Sequence, residues 1–313
     1  MHLHQRFQLE RSMVSRYDIE FVGEQDVTIR GWLFAPAATS SKPSPAISMC
    51  HGFGAVKEHA LEKFAQAFAE AGFVVLVHDH RNFGASDGVP RGDIDPWMQI
   101  ADWRRAISFL ETVPEVDASK IGIWGSSYSG GHALVLAATD NRVKCVVSQV
   151  PTISGFEQSR RRISPDNVAA FLEGMTADMR LTHRGKAPAT QSVVSDDPGT
   201  PAAYRTREAI DFYMRDIGTA NWNNTVTIRS SFAARLYEPG TWISRISPKP
   251  LLMVIANDDC VTLTDLELRA YEDALEPKRL VIIEGGHFAP YDIEFPTASS
   301  AAVQWFQQHL PSF

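Results

Sequence analysis

Lys120-Ile-Gly-Ile-Trp-Gly125-Ser-Ser127-Tyr-Ser129-Gly-Gly-His-Ala-Leu134 decides the reading of this chain. An apolar run of β type leads in and a run of helical type leads out, and the two meet at serines flanked by small residues. A serine at the tip of so sharp a strand-to-helix turn sits in strained backbone. The residues two positions either side must be small for the arms to pass. Gly125 and Ser129 meet that demand around Ser127, which makes Ser127 the candidate nucleophile ahead of Ser126 or Ser129. Ser129 stands where the G-x-S-x-G pattern has glycine, and Gly130 and Gly131 follow one position late.

A serine nucleophile needs a base and an acid, and behind such an elbow they follow in the chain order Ser, Asp or Glu, His. Leu251-Leu-Met-Val-Ile-Ala256 has strand length and runs into Asn257-Asp258-Asp259, where the acid belongs. A second strand-type run from Lys278 ends in Gly285-Gly286-His287, whose glycines let a loop carry His287 inward. A tetrahedral oxyanion is held best by backbone N–H groups already aimed at it. Tyr128, directly after the nucleophile, supplies one. The other is assigned to Phe53 in His51-Gly-Phe-Gly54, which follows the strand-type run Pro45–Cys50.

Together these motifs resemble the α/β-hydrolases, and within them the esterase, dienelactone-hydrolase-like and Xaa-Pro-peptidase-like group carrying G-x-S-Y-x-G. The resemblance covers nearly the whole chain. His78-Asp-His-Arg-Asn-Phe-Gly-Ala-Ser-Asp-Gly88 is similar to the D-x-R-G-x-G-x-S-x-G segment of many hydrolases, with Asn82 replacing a glycine. Asp259-Cys-Val-Thr262 is similar to the D-x-x-T-P run that follows the acid, with Leu263 for proline, and this selects Asp259 over Asp258. The runs Tyr237–Met253 and Glu276–Phe288 resemble a subgroup containing polyketide thiohydrolases and polyketide acyl transferases. The family likeness implies a mostly parallel twisted sheet flanked by helices, with Ser127, Asp259 and His287 as a triad. It further implies cleavage of an ester or thioester of a small to medium, largely apolar acyl group through an acyl-serine, with no cofactor. Acyl transfer to an alcohol or amine is the alternative chemistry. A non-catalytic ligand-binding protein on the same scaffold is the reading from another class.

Composition agrees with an enzyme-sized unit, since 313 residues with 44% hydrophobic content can bury a large core. The longest apolar runs, Phe73–Val77 and Leu251–Ala256, are strand length, so no membrane span is expected. Met1-His-Leu-His-Gln-Arg-Phe-Gln-Leu-Glu10 has no apolar centre of signal-peptide type, which argues for a cytoplasmic protein. Cys50, Cys145 and Cys260 are odd in number and lie in or beside strand-type runs, so they read as buried thiols. The net charge of −7 opposes nucleic-acid binding and leaves a small-molecule ester or thioester as the expected partner; the thiohydrolase and acyl-transferase resemblance adds an acyl carrier as a further candidate.

The pattern predicts a hairpin over Asp18–Pro36 and then alternating strands and helices, giving a core in two parts, residues 1–150 and 248–313. Residues 151–247 break the alternation and read as a helical lid. Its bulky residues, Met175 and Trp222 among them, are candidates for lining an acyl pocket. Arg160-Arg161-Arg162 reads first as a solvated face, with a phosphate of coenzyme A or phosphopantetheine as the functional alternative. His78-x-His80 has metal-ligand spacing, but the rest of a hydrolytic metal motif is missing, so no metal is expected. No P-loop or dinucleotide fingerprint occurs.

Overall fold

In the computed structural model of the protein, which describes residues 14–36 and 42–311, the chain opens on a hairpin of β1 (Ser15–Val22) and β2 (Thr28–Ala35). Residues 1–10, whose composition bears on targeting, lie outside the described residues. There follow β3 (Ser44–Cys50), α1 (Leu61–Glu70), β4 (Val74–His78), α2 (Pro96–Leu110), β5 (Val116–Ser126), α3 (Tyr128–Thr139) and β6 (Val143–Gln149). After a long insertion come β10 (Leu251–Ala256), α8 (Thr264–Asp273), β11 (Lys278–Ile283) and α9 (Phe295–His309). The insertion holds α4 (Gly155–Arg162), α5 (Val168–His183), β7 (Thr190–Val194), β8 (Ala202–Tyr204), α6 (Arg207–Tyr213), β9 (Val226–Thr227) and α7 (Ile228–Arg235).

The large sheet runs β1-β2-β4-β3-β5-β6-β10-β11, antiparallel at β1/β2 and β2/β4 and parallel elsewhere. Every residue of β4 and β10 is buried, as expected of unbroken apolar runs covered by helices on both faces. Because β3 lies between β4 and β5, the order reverses there, and the carboxyl ends of β3, β5, β10 and β11 open on one crevice.

Local chemistry sets the helix starts. Asp95 caps α2 by accepting from the Trp97 and Met98 amides at 2.9 and 3.2 Å, and Pro96 occupies the first helical position. Asp79 accepts from the Lys57 amide and from its ammonium at 2.8 and 2.7 Å, which pins the approach to α1 against the end of β4.

Two expectations need correction. The insertion is not made of helices alone: β8-β7-β9 form a small sheet, because Val193, Val194 and Val226 bury their branched side chains together. Cys50 and Cys145 are buried, but Cys260 is exposed, since it follows the end of β10 and faces the crevice instead of the core. Among the described residues, no helix is long and apolar enough to cross a membrane.

Candidate active site

Ser127 sits between β5 and α3 at φ 58°, ψ −122°, strained for a residue with a side chain. Its amide donates to the Gln149 carbonyl at 2.9 Å, and its own carbonyl accepts from Gly130 and Thr152, so the surroundings over-determine the turn. A Cβ at Gly125 would lie 2.0 Å from the Ser129 carbonyl oxygen, which is why that position is glycine. Ser129 does more than stay small. Its hydroxyl donates to the His51 carbonyl at 2.5 Å and lies 2.8 Å from His80 Nε2, tying the elbow to the end of β3.

The imidazole of His287 bridges the other two residues. Nδ1 is 2.7 Å from Asp259 Oδ2, and Nε2 is 2.9 Å from Ser127 Oγ. An ionised carboxylate only accepts, so Nδ1 carries the proton and Nε2 is left to accept from the serine hydroxyl. Asp259 Oδ1 accepts from the Val261 and Thr262 amides at 2.7 and 2.8 Å, and Oδ2 also accepts from the Thr262 hydroxyl at 2.7 Å. Burial alone would raise this carboxyl, but the facing His287 and the Thr262 bonds outweigh it and hold Asp259 below the usual carboxylate range. Asp258 is exposed.

Glu267, on the inner face of α8, escaped the reading from sequence. Burial, with the Asp259 charge adding to it, pushes its carboxyl well above the usual range. Its Oε1 lies 3.1 Å from Thr262 Oγ1, behind the hydroxyl that bonds Asp259. The signal was available in the helical spacing, which puts Glu267 on the buried stripe with Leu266 and Ala270.

The loop after β3 presses on the serine. A Cβ at Gly52 would lie 2.9 Å from Ser127 Cβ, so glycine permits that approach. The Phe53 ring meets Tyr128 edge-on at 5.6 Å, and among the described residues neither backbone amide is spent on another backbone acceptor. The insertion orients this loop: Tyr213 Oη donates to the Phe53 carbonyl at 2.6 Å and Trp222 Nε1 to the Gly54 carbonyl at 2.8 Å.

A cavity of about 360 Å³ opens over Ser127, with Phe53 and Tyr128 beside it and Phe171, Tyr204 and Arg162 from the insertion in its walls. Met175 and Trp222 are not among its lining residues. Met175 is buried on the other side of α5 from solvent, and Trp222 is held under the β3 loop. Of the arginine run, Arg160 pairs with Glu157 at 2.7 Å and Arg161 with Asp265 at 2.6 Å, leaving Arg162 to face the cavity. Cys50, His78 and His80 bring three donor atoms within 4.8 Å of one another. Burial pushes the Cys50 thiol well above its usual value, and Cys50 Sγ lies 3.1 Å from His80 Nε2, which in turn lies 2.8 Å from the Ser129 hydroxyl of the elbow.

The family model of the X-Pro dipeptidyl-peptidases (S15) matches residues 26–289. The chain belongs to that family. It is 31% identical over 283 residues to a thiohydrolase of Eupenicillium brefeldianum, covering 88% of this chain and 89% of the relative. It is likewise 31% identical over 283 residues to a polyketide transferase of Stachybotrys chlorohalonatus, covering 88% and 91%. The crystal structure of an α/β hydrolase from Penicillium sp. sh18 superposes with a TM-score of 0.80 at 27% identity, over 95% of this chain and all of that one. The S15-family chain is thus an enzyme of the α/β-hydrolase type, with hydrolysis or acyl transfer as its general chemistry.

Proposed function

We propose that the protein is a serine hydrolase that cleaves an ester or thioester of a small to medium acyl group through an acyl-serine. The observation that carries this reading is the unbroken run Asp259 Oδ2–His287 Nδ1 and His287 Nε2–Ser127 Oγ, 2.7 and 2.9 Å. His287 Nε2 takes the hydroxyl proton as Ser127 Oγ attacks the carbonyl carbon. The oxyanion is held by the Phe53 and Tyr128 amides, and Asp259 stabilises the imidazolium. The leaving group departs with the proton from Nε2. Water, deprotonated by the same nitrogen, then clears the acyl-serine. The insertion 151–247 acts as a lid whose aromatic rings at Phe171 and Tyr204 receive the apolar part of the acyl group.

Acyl transfer is the second reading, favoured by the equal likeness to a protein named a polyketide transferase. One experiment separates the readings: label the protein with a fluorophosphonate, then supply acyl esters and thioesters with and without an alcohol or amine acceptor and weigh the products. Ser127→Ala should abolish labelling and lower turnover by about three powers of ten or more. A folded Ser127→Ala variant with near-normal turnover would end the serine reading. An unlabelled wild type that turns nothing over would point to a binding protein.

A further inference from the structure

The rim of the cavity over Ser127 carries charge of one sign. Arg162, Arg205 and Arg235 line it, and no aspartate or glutamate does. Among the described residues, the hydrogen-bond partners of all three guanidinium groups are neutral. Arg162 Nη2 donates to the Val261 carbonyl at 3.2 Å, and its guanidinium lies over the Tyr204 ring, 4.8 Å from the centroid. Arg205 donates to the Asp197 and Thr200 carbonyls at 2.8 and 2.6 Å. Arg235 donates to Ser159 Oγ at 2.7 Å and lies over Phe156 at 4.5 Å. The neighbouring Arg160 and Arg161 behave otherwise, each spent on a carboxylate outside the cavity.

This rim is close to the chemistry. Tyr204 meets Phe53 edge-on at 5.9 Å, and Phe53 meets Tyr128 at 5.6 Å, so Arg162 stands one ring away from the loop beside Ser127. The Val261 carbonyl that anchors it belongs to the turn that donates to Asp259. Three like charges around a concave opening repel one another, with the Asp197 carboxylate offsetting that of Arg205 in part, and the field of Arg162 and Arg235 attracts and holds an anion. Each fork also keeps N–H groups that its neutral partners do not use, the geometry that suits a carboxylate or phosphate.

Resting on the serine-hydrolase reading above, we propose that the arginine rim binds an anionic oxygen group of the substrate while its acyl carbon sits at Ser127. The group is either a carboxylate on the acyl chain or a phosphate on the leaving group; both present the same oxygens to the rim.

Four thioesters test this: pentanoyl and glutaryl groups, each carried on neutral N-acetylcysteamine or on coenzyme A. The charged members should show KM about tenfold or more below that of pentanoyl-N-acetylcysteamine, as charge-assisted hydrogen bonds would give. Raising the salt should narrow the gap. A gain confined to glutaryl identifies the carboxylate, and a gain confined to coenzyme A the phosphate. Arg162→Gln and Arg235→Gln should each collapse the ratio between charged and neutral substrates, with Ser127 labelling reporting that the variants are folded. Equal KM values for all four, or variants that raise KM for neutral and charged substrates alike, would overturn the proposal while Ser127 still labels. No turnover of any thioester together with no labelling would instead sink the hydrolase reading.

Discussion

Two adjacent aspartates after β10 differ in burial and in hydrogen bonding. Asp259 is buried and accepts from His287, Thr262 and the Val261 amide, whereas Asp258 is exposed and enters the architecture through its amide, which donates to Gly285. An amide side chain at 259 would present N–H where His287 needs an acceptor, forcing the wrong tautomer. Asp259→Asn should therefore cut kcat/KM on one ester by about 10⁴, while Asp258→Asn should change it by less than about threefold. The reverse order would move the acid to Asp258. The sequence points to Asp259 through the Cys-Val-Thr that follows it, and the Val261 and Thr262 amides and the Thr262 hydroxyl of that turn solvate its carboxylate. Met175 and Trp222, expected at an acyl pocket, do not line the cavity over Ser127. Apolar side chains at helical spacing announce burial, and nothing in the spacing says whether they face a cavity, a helix or a loop.

At the scale of elements, the β5–α3 turn and the loop after β3 are built as one unit. Ser129, the departure from the glycine pattern, holds them together by donating its hydroxyl to the His51 carbonyl, and His80 Nε2 lies 2.8 Å from that hydroxyl oxygen. Ser129→Ala leaves buried groups unsatisfied and should cost about 1–3 kcal/mol in urea unfolding. Ser129→Gly, which restores the commoner motif, should cost no less, because the missing partner and not the missing space is what matters. A loss under about 0.5 kcal/mol in both would show that the hydrogen bonds are replaced by water. The smallness of residue 129 was readable from the sequence. Its partner was not, since His51 lies 78 positions away and meets it through pairing of β3 with β5.

For the molecule as a whole, an unusual store of buried imidazole governs response to acid. Burial lowers His51 and His59 to about 4 and His78 and His132 to about 3, and it holds His80 well below its usual value. In the unfolded chain these groups titrate near about 6.5. Between those values the unfolded state binds protons that the folded state refuses, so stability falls as pH falls. The urea midpoint should hold level from pH 8 to 7 and drop steeply below about 6, each histidine contributing up to about 1.4 kcal/mol per pH unit. A level midpoint down to pH 5 would mean that the histidines are already charged or hydrated in the fold. The strands, the elbow and the order Ser127, Asp259, His287 were determined by the sequence itself, because apolar runs, glycines and turn residues act over a few positions. Only the tertiary structure decided that the insertion folds a small sheet, that Tyr213 and Trp222 grip the loop of Phe53, and that Arg162 alone of its run turns to the cavity. Those outcomes depend on which surfaces of segments about a hundred residues apart come to bury one another, as where Gln158 Nε2 reaches the Thr262 carbonyl, and local preference carries no information about that choice.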